Sequence, residues 1–262
     1  MDLELANAVV LVTGGSKGIG LACARAFAGE GARLAIASRD PANLAAATAA
    51  LKSDGIAAVT VEADLADPTQ AARMVREVEQ QLGPIDVLVN SAGAAKRTPA
   101  SELTAAHWHA AMQAKFFTYI HAIDAVLPGM AGRRAGAIVN IVGMGGKLAS
   151  PVHLPGGSAN AALMLASSGL ANAYAAQGVR VNVVNPGMTA TERMQEGLAA
   201  EARLAGRPVE EVLQQRLRTT PMGRIAEPRD IADVVVFLAS PRAGYVSGAV
   251  VSLDGAATPM VV

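Results

Sequence analysis

The sequence predicts an α/β fold: a doubly wound sheet of seven parallel strands flanked by helices. Three observations carry this. Short apolar runs alternate with helical patterns from one end of the chain to the other. Most of the runs are apolar almost throughout, as strands buried on both faces of a parallel sheet must be. A glycine-rich turn directly follows the first run and opens the first helical stretch.

The apolar runs fall at 8–12, 33–38, 57–62, 85–89, 137–142, 179–184 and 249–253. Helical patterns occupy 18–29, 41–53, 68–82, 104–129, 158–176 and 228–239. Pro41, Pro68 and Pro228 stand at or near three helix starts, where a missing N–H costs nothing. A strand-helix succession of this kind implies right-handed crossovers. No repeat, low-complexity tract or linker interrupts it, so residues 1–262 read as one domain. Residues 188–227 are the exception, a long insertion with one expected helix around 208–218. Insertions of this size beside a crevice are usually binding loops or lids.

Composition narrows the class. The chain has 262 residues, 52% of them apolar but only 3% aromatic, so Ala, Val, Leu and Ile must build the core. A formal charge of zero argues against a nucleic-acid partner or an anionic membrane. The single cysteine, Cys23, rules out an intrachain disulfide, fits a reducing compartment and is expected to pack inside the first helix. No apolar run reaches the roughly 18 residues of a membrane span. The acidic start, Met1-Asp2-Leu3-Glu4, does not read as a signal peptide, so the expected location is cytoplasmic. No metal site is expected.

Residues 13–20 read Thr-Gly-Gly-Ser-Lys-Gly-Ile-Gly. Gly14, Gly18 and Gly20 allow a tight turn and a close approach of phosphate to backbone N–H groups at a helix start. Ser16, Lys17 and Ile19 complete the loop. Asp64, followed by Leu65, closes the third strand, where a carboxylate can accept from an adenine amino group. Asn90, Ala92 and Gly93 end the fourth strand with small residues. Pro186 and Gly187 end the sixth, with Thr189 and Thr191 able to donate to a carboxamide or phosphate. At the end of the second strand stand Ser38 and Arg39. Two cations, Arg39 and Lys17, and no acid at that place favour a ribose 2′-phosphate, hence NADP(H) over NAD(H), with NAD(H) as the alternative.

In order, Thr-Gly-x-x-x-Gly-x-Gly at 13–20, Asp64, Asn-x-Ala-Gly at 90–93, Pro-Gly at 186–187 and the stretch from Ser247-Gly248 to Asp254-Gly255 resemble the short-chain dehydrogenase/reductase family. The resemblance covers essentially the whole chain. It implies a Rossmann-type fold, a nicotinamide cofactor and a homotetramer or homodimer. The small-residue face of the helix expected at 158–176 suits close packing between subunits.

The same resemblance implies a catalytic asparagine, serine, tyrosine and lysine. Their positions fall on Lys115, Gly143, Gly156 and Asn160. All four are replaced, and neither Tyr-x-x-x-Lys nor the wider Tyr-x6-Lys occurs in the chain. Tyr119, Tyr174 and Tyr245 are expected to lack suitable partners. Lys115 is the leading substitute acid, since an ammonium beside the substrate oxygen can stabilise or protonate an alkoxide. His153 and Asn160 are the other catalytic candidates, with Ser158, Lys147 and Ser150 nearby. Met144, Leu148, Val152, Leu154 and Met188 are expected to line an apolar pocket for a small substrate. The expected function is reduction of a carbonyl or activated alkene with a non-standard proton donor. Two alternatives stay open: a catalytically silent NADP(H)-binding protein, and a non-redox isomerase or dehydratase using the same cleft.

Overall fold

One parallel sheet runs through the molecule, built from β1 (Val9–Thr13), β2 (Arg33–Ser38), β3 (Ala58–Glu62), β4 (Val87–Asn90), β5 (Gly136–Ile141), β6 (Val179–Pro186) and β7 (Val250–Leu253). A computed structural model describes residues 1–93 and 95–260. The strand order is β3-β2-β1-β4-β5-β6-β7. The order reverses between β1 and β4, so the crevice where ligands bind such sheets lies beyond the carboxyl ends of these two strands.

The helices are α1 (Gly18–Gly29), α2 (Pro41–Ser53), α3 (Pro68–Leu82), α4 (Ala105–Ala111), α5 (Thr118–Arg133), α6 (Leu154–Tyr174), α7 (Glu192–Ala205), α8 (Val209–Arg218) and α9 (Pro228–Ala239). They cover both faces of the sheet. On one face Val10, Val12 and Ile36 pack against Cys23 and Phe27 of α1 and Val235 of α9. On the other Leu11, Leu88 and Ile138 meet Met74 of α3 and Ile123 and Met130 of α5. Cys23 is fully buried, as expected, and burial pushes its thiol up to about 12. An inert packing role follows.

Three expectations change. The helix expected over 104–129 is not continuous: between α4 and α5 the chain takes a π-helical turn, Met112–Phe117. α6 begins at Leu154, four residues earlier than expected, because Gly156 and Gly157 do not break the helix but let it pack closely. The 188–227 insertion carries two helices where one was expected. α7 was overlooked although Thr191 caps its start, accepting from the Met194 N–H, and Gly206 closes it in the left-handed region (φ 62°). Leu198 and Ala202 of α7 bury against Val212 of α8, giving the insertion a small core of its own.

Among the described residues no helix is long and apolar enough to cross a membrane, and no cluster of His, Cys, Asp or Glu is placed to hold a metal ion.

Candidate active site

The glycine turn between β1 and α1 is packed so tightly that side chains are excluded. A Cβ on Gly14 would stand 2.7 Å from the Ala92 nitrogen, and one on Gly20 would run into the Gly14 carbonyl. Gly14 and Gly18 also take positive φ, 64° and 54°. The N–H groups of Gly14 and Gly15 are used by the Ala37 carbonyl. Those opening α1 are not: Lys17, at the N-cap, offers no side-chain acceptor. The contrast with α2 and α3 is informative, because Asp40 and Asp67 cap both of those helices. Unlike those two, α1 presents free donors and the positive end of its dipole to the crevice, which suits an anion.

Around this turn the other residues expected at a cofactor divide into two groups. Arg39 is exposed and makes no hydrogen bond to any described residue. The acid beside it, Asp40, is spent on the Ala42 and Asn43 N–H groups, so no free carboxylate competes at the end of β2. Ser38 accepts from the Asp40 N–H. Lys17 lies 3.5 Å from Glu192, a largely exposed pair of little energetic weight. Asp64 is exposed and folds back on the Ala66 N–H, with buried Leu65 beside it. Thr189 and Thr191 line the start of α7, and a Cβ on Gly18 would touch Thr191 at 3.3 Å. Pro186 ends β6, and a Cβ on Gly187 would strike Asp254.

Asn90 differs from the expectation of a crevice residue. Its side chain is fully buried, accepting from Thr13 Oγ1 (3.0 Å) and donating to Asn140 Oδ1 (3.0 Å); Asn140 in turn donates to Ser167 of α6 (2.9 Å). The carboxamide stitches β1, β4, β5 and α6 together, leaving only its backbone for a ligand.

Lys115 sits in the π turn, 7% exposed. Its Nζ donates to Tyr119 Oη (2.7 Å) and to the Ile141 carbonyl at the end of β5 (3.1 Å). Tyr119 Oη donates to the same carbonyl at 2.5 Å. The expectation that Tyr119 lacks a partner is therefore wrong. A lysine and a tyrosine do pair four residues apart on a helix, but in the order Lys-x-x-x-Tyr. Burial drives both toward their uncharged forms, Lys115 well below its usual value of 10.5 and Tyr119 upward; the nearby Arg193 guanidinium lowers Lys115 further. Tyr119 is wholly enclosed and cannot meet a substrate. Lys115 can do more: as an ammonium it keeps a third N–H, and as an amine it keeps a lone pair.

The remaining positions follow one another along the crevice wall. Gly143 takes φ 120°, a conformation that disfavours a serine there, and its N–H donates to Asn185 Oδ1 (3.2 Å). Asn160 is 6% exposed, its amide nitrogen 3.6 Å from where a Gly143 Cβ would be, and its carboxamide has no partner among the described residues. At Gly156 the space is taken. A Cβ there would fall 2.6 Å from His153 Nε2 and closer still to Cε1. The imidazole lies between Gly145 and Gly156, two residues that offer it no side chain. Its Nδ1 is buried without a partner. Burial, then the charges of Arg97, Arg193 and Lys115, push its pKa down to about 4, so His153 is neutral at physiological pH.

The loop after β4 closes over this wall. The Thr98 N–H donates to the Val152 carbonyl (3.1 Å), and Arg193 of α7 donates to the Gly93 carbonyl (3.1 Å). Gly93, at φ 84°, rests directly on the Ala114 carbonyl, next to Lys115. Arg97 and Arg193 were missed in the sequence, where nothing local distinguishes them from solvated surface charge.

Comparison with known proteins agrees with this architecture. The profile of a family described as Enoyl-(Acyl carrier protein) reductase matches residues 14–258. The chain is 36% identical to galactitol 2-dehydrogenase (L-tagatose-forming) of Cereibacter sphaeroides over 97% of its own length and 96% of the relative's. It superposes on L-sorbose reductase of Gluconobacter frateurii, solved with NADPH and L-sorbose, with a TM-score of 0.92, 29% identity and complete coverage of both chains. It also superposes on an NADPH-bound short chain oxidoreductase of Pseudomonas aeruginosa PAO1 containing an atypical catalytic center, with a TM-score of 0.87 and 30% identity over 97% of this chain and 98% of that one. With the glycine turn, the switch-point crevice and a profile match along nearly its whole length, the chain belongs to the short-chain dehydrogenase/reductase family.

Proposed function

We propose that this protein is an NADP(H)-dependent oxidoreductase that reduces a carbonyl or activated alkene, with Lys115 in place of the family's tyrosine as proton source. The observation that carries the reading is the pairing of an uncapped, glycine-built cradle with a buried lysine on the same crevice. The cradle fits a dinucleotide: α1 offers free N–H donors to a pyrophosphate, and Arg39 stands unpaired where a 2′-phosphate would be held. NADPH bound in similar proteins, including one with an atypical catalytic center, supports the same reading. The cofactor, once bound, supplies the hydride.

The chain's own residues do the rest. Tyr119 and the Ile141 carbonyl hold Lys115 Nζ by two hydrogen bonds, so one position on nitrogen is left to exchange a proton. The depressed pKa makes that proton easier to release near neutrality than from a solvated lysine. Asn160 offers an unpartnered carboxamide on the same wall, suited to a hydroxyl of ribose or substrate. Met144, Val152, Leu154 and Met188, each partly buried, supply apolar surface for the body of a small substrate. Self-association fits the same picture, since α6 leaves Leu165 77% exposed beside bare Gly169.

The second reading, binding without turnover, is favoured by one observation: His153 fills the space beside Gly156 with a ring that is neutral at physiological pH. Stereospecific deuteride transfer from labelled NADPH to a panel of ketones and enones separates the two. Transfer that Lys115→Met abolishes supports the lysine acid. Cofactor binding with no transfer to any member supports the silent protein, and product formed without nicotinamide oxidation supports isomerisation or dehydration.

A further inference from the structure

We propose that the crevice takes a substrate bearing an oxyanion, a carboxylate or a phosphate, and that Arg97 and Arg193 hold it. This deepens the oxidoreductase reading and names the substrate class of the same site.

The arginines reach the crevice from two separate elements. Arg193 comes from the first turn of α7 and is anchored on the Gly93 carbonyl, which leaves most of its guanidinium donors unused. Arg97 comes from the loop pinned at Thr98 to the Val152 carbonyl. Its guanidinium lies over α7 at Gly197, where a Cβ would stand 3.6 Å from Nε. A glycine at that place gives the arginine a flat bed on bare helix. Partial burial lowers the pKa of Arg193, and Arg97 lies close enough to lower it further.

No carboxylate among the described residues comes within 4.0 Å of either guanidinium or of Lys115, although eight other cations of the chain have such a partner. Glu196 acts on Arg193 only at longer range. Two arginines from separate elements thus meet over the cleft that holds Lys115, in a protein whose formal net charge is zero. They repel one another, and an oxyanion bound between the arginines relieves that repulsion while forming charge-assisted hydrogen bonds. Both arginines keep solvent-exposed surface, and neither has a carboxylate partner among the described residues for a ligand to displace. The apolar wall below them fits the rest of such a molecule, and Lys115 lies deeper, beyond Gly93.

The test is calorimetric titration of the purified protein, alone and saturated with NADPH, with hexanoate, hexyl phosphate and hexanamide at fixed ionic strength. At least one anion is expected to bind about tenfold tighter than the amide, a preference of the size that charge-assisted hydrogen bonds give. The stronger of the two anions decides between carboxylate and phosphate. Arg97→Gln and Arg193→Gln should each reduce the preference to about threefold or less, with circular dichroism and NADPH affinity unchanged. Equal binding of all three probes, no detectable binding of the anions, or a preference that survives both substitutions would overturn the proposal. So would loss of NADPH affinity in Arg193→Gln with the preference intact, since that arginine would then serve the cofactor. An anion preference in a protein that transfers no deuteride keeps the proposal and removes the oxidoreductase reading instead.

Discussion

Lys115 and Tyr119 meet at 2.7 Å over the Ile141 carbonyl, one helical turn apart and both buried. A buried ammonium is costly, so this pair should govern how stability depends on pH above neutrality. The folded pKa of Lys115 lies below 10.5, so the unfolded chain holds the proton more tightly. Stability should therefore rise with pH from the folded value up to about 10.5, because the unfolded state binds more protons there. Lys115→Met should flatten that slope in urea titrations at several pH values, without loss of stability at neutral pH. Turnover should fall about 10²- to 10⁴-fold, the range expected for a lost general acid.

His153 acts with the same sign in the acid range. Its pKa is depressed from 6.5 to about 4, so the unfolded chain takes up a proton first as pH falls. Its contribution is intact above 6.5 and is lost as pH drops through 4. Thermal unfolding followed between pH 7 and pH 4 should show a shallower decline in His153→Gln than in the wild type.

Gly156 and His153 compete for one space. Gly156→Ala places a methyl against the imidazole and should cost about 1–3 kcal/mol, the usual penalty of overpacking. In the double variant with His153→Ala part of that cost should vanish, the remainder being set by Ala95, whose Cβ stands 2.8 Å from the added methyl. A double-mutant cycle by chemical denaturation measures this coupling, and additive effects would show that the ring does not lie where it is described.

Reinstating a serine at 143 should fail for a different reason. Space is available, 3.6 Å to the nearest atom, but φ is 120°. Gly143→Ser should lose about 1–3 kcal/mol through backbone strain and should not raise turnover. A gain in activity would mean that the loop had moved.

Arg39 carries the cofactor preference. Arg39→Ala should weaken NADPH about tenfold, as expected for loss of a charge-assisted contact, while leaving NADH affinity within twofold. Fluorescence titration of both cofactors tests it, and equal losses would assign Arg39 a structural role.

Much of this was legible in the chain. The strands were found to within two residues at most ends because buried parallel strands are apolar throughout, a signal that survives without periodicity. The glycine turn was legible because its spacing and context coincide. The active-site wall was harder. A π turn differs from an α-helix by a single residue per turn, so the pattern over 104–129 read as one helix. The Lys115–Tyr119 pair is hidden from the Tyr-x-x-x-Lys pattern by its reversed order, although residues four apart meet on a helix in either direction. α7 is hard to see in the sequence because its Ala, Arg and Glu resemble a solvated loop, and only Thr191 and Gly206 mark its two ends. Arg97 and Arg193 lie 96 positions apart in sequence, with roles set by the loop and helix that bring them together.

The π turn at Met112–Phe117 makes the placement of Lys115 a matter of chain length as well as residue type. It is a single surplus residue held inside an otherwise regular helical stretch. Removing one residue from that turn would rewind it to α geometry, and a residue inside the turn shifted by one place moves about 100° around the helix axis. A lysine that now faces Ile141 would then be carried around the helix, with its identity unchanged. An insertion or deletion of one codon at this point would therefore assemble or dismantle the site in a single step, with no substitution at all.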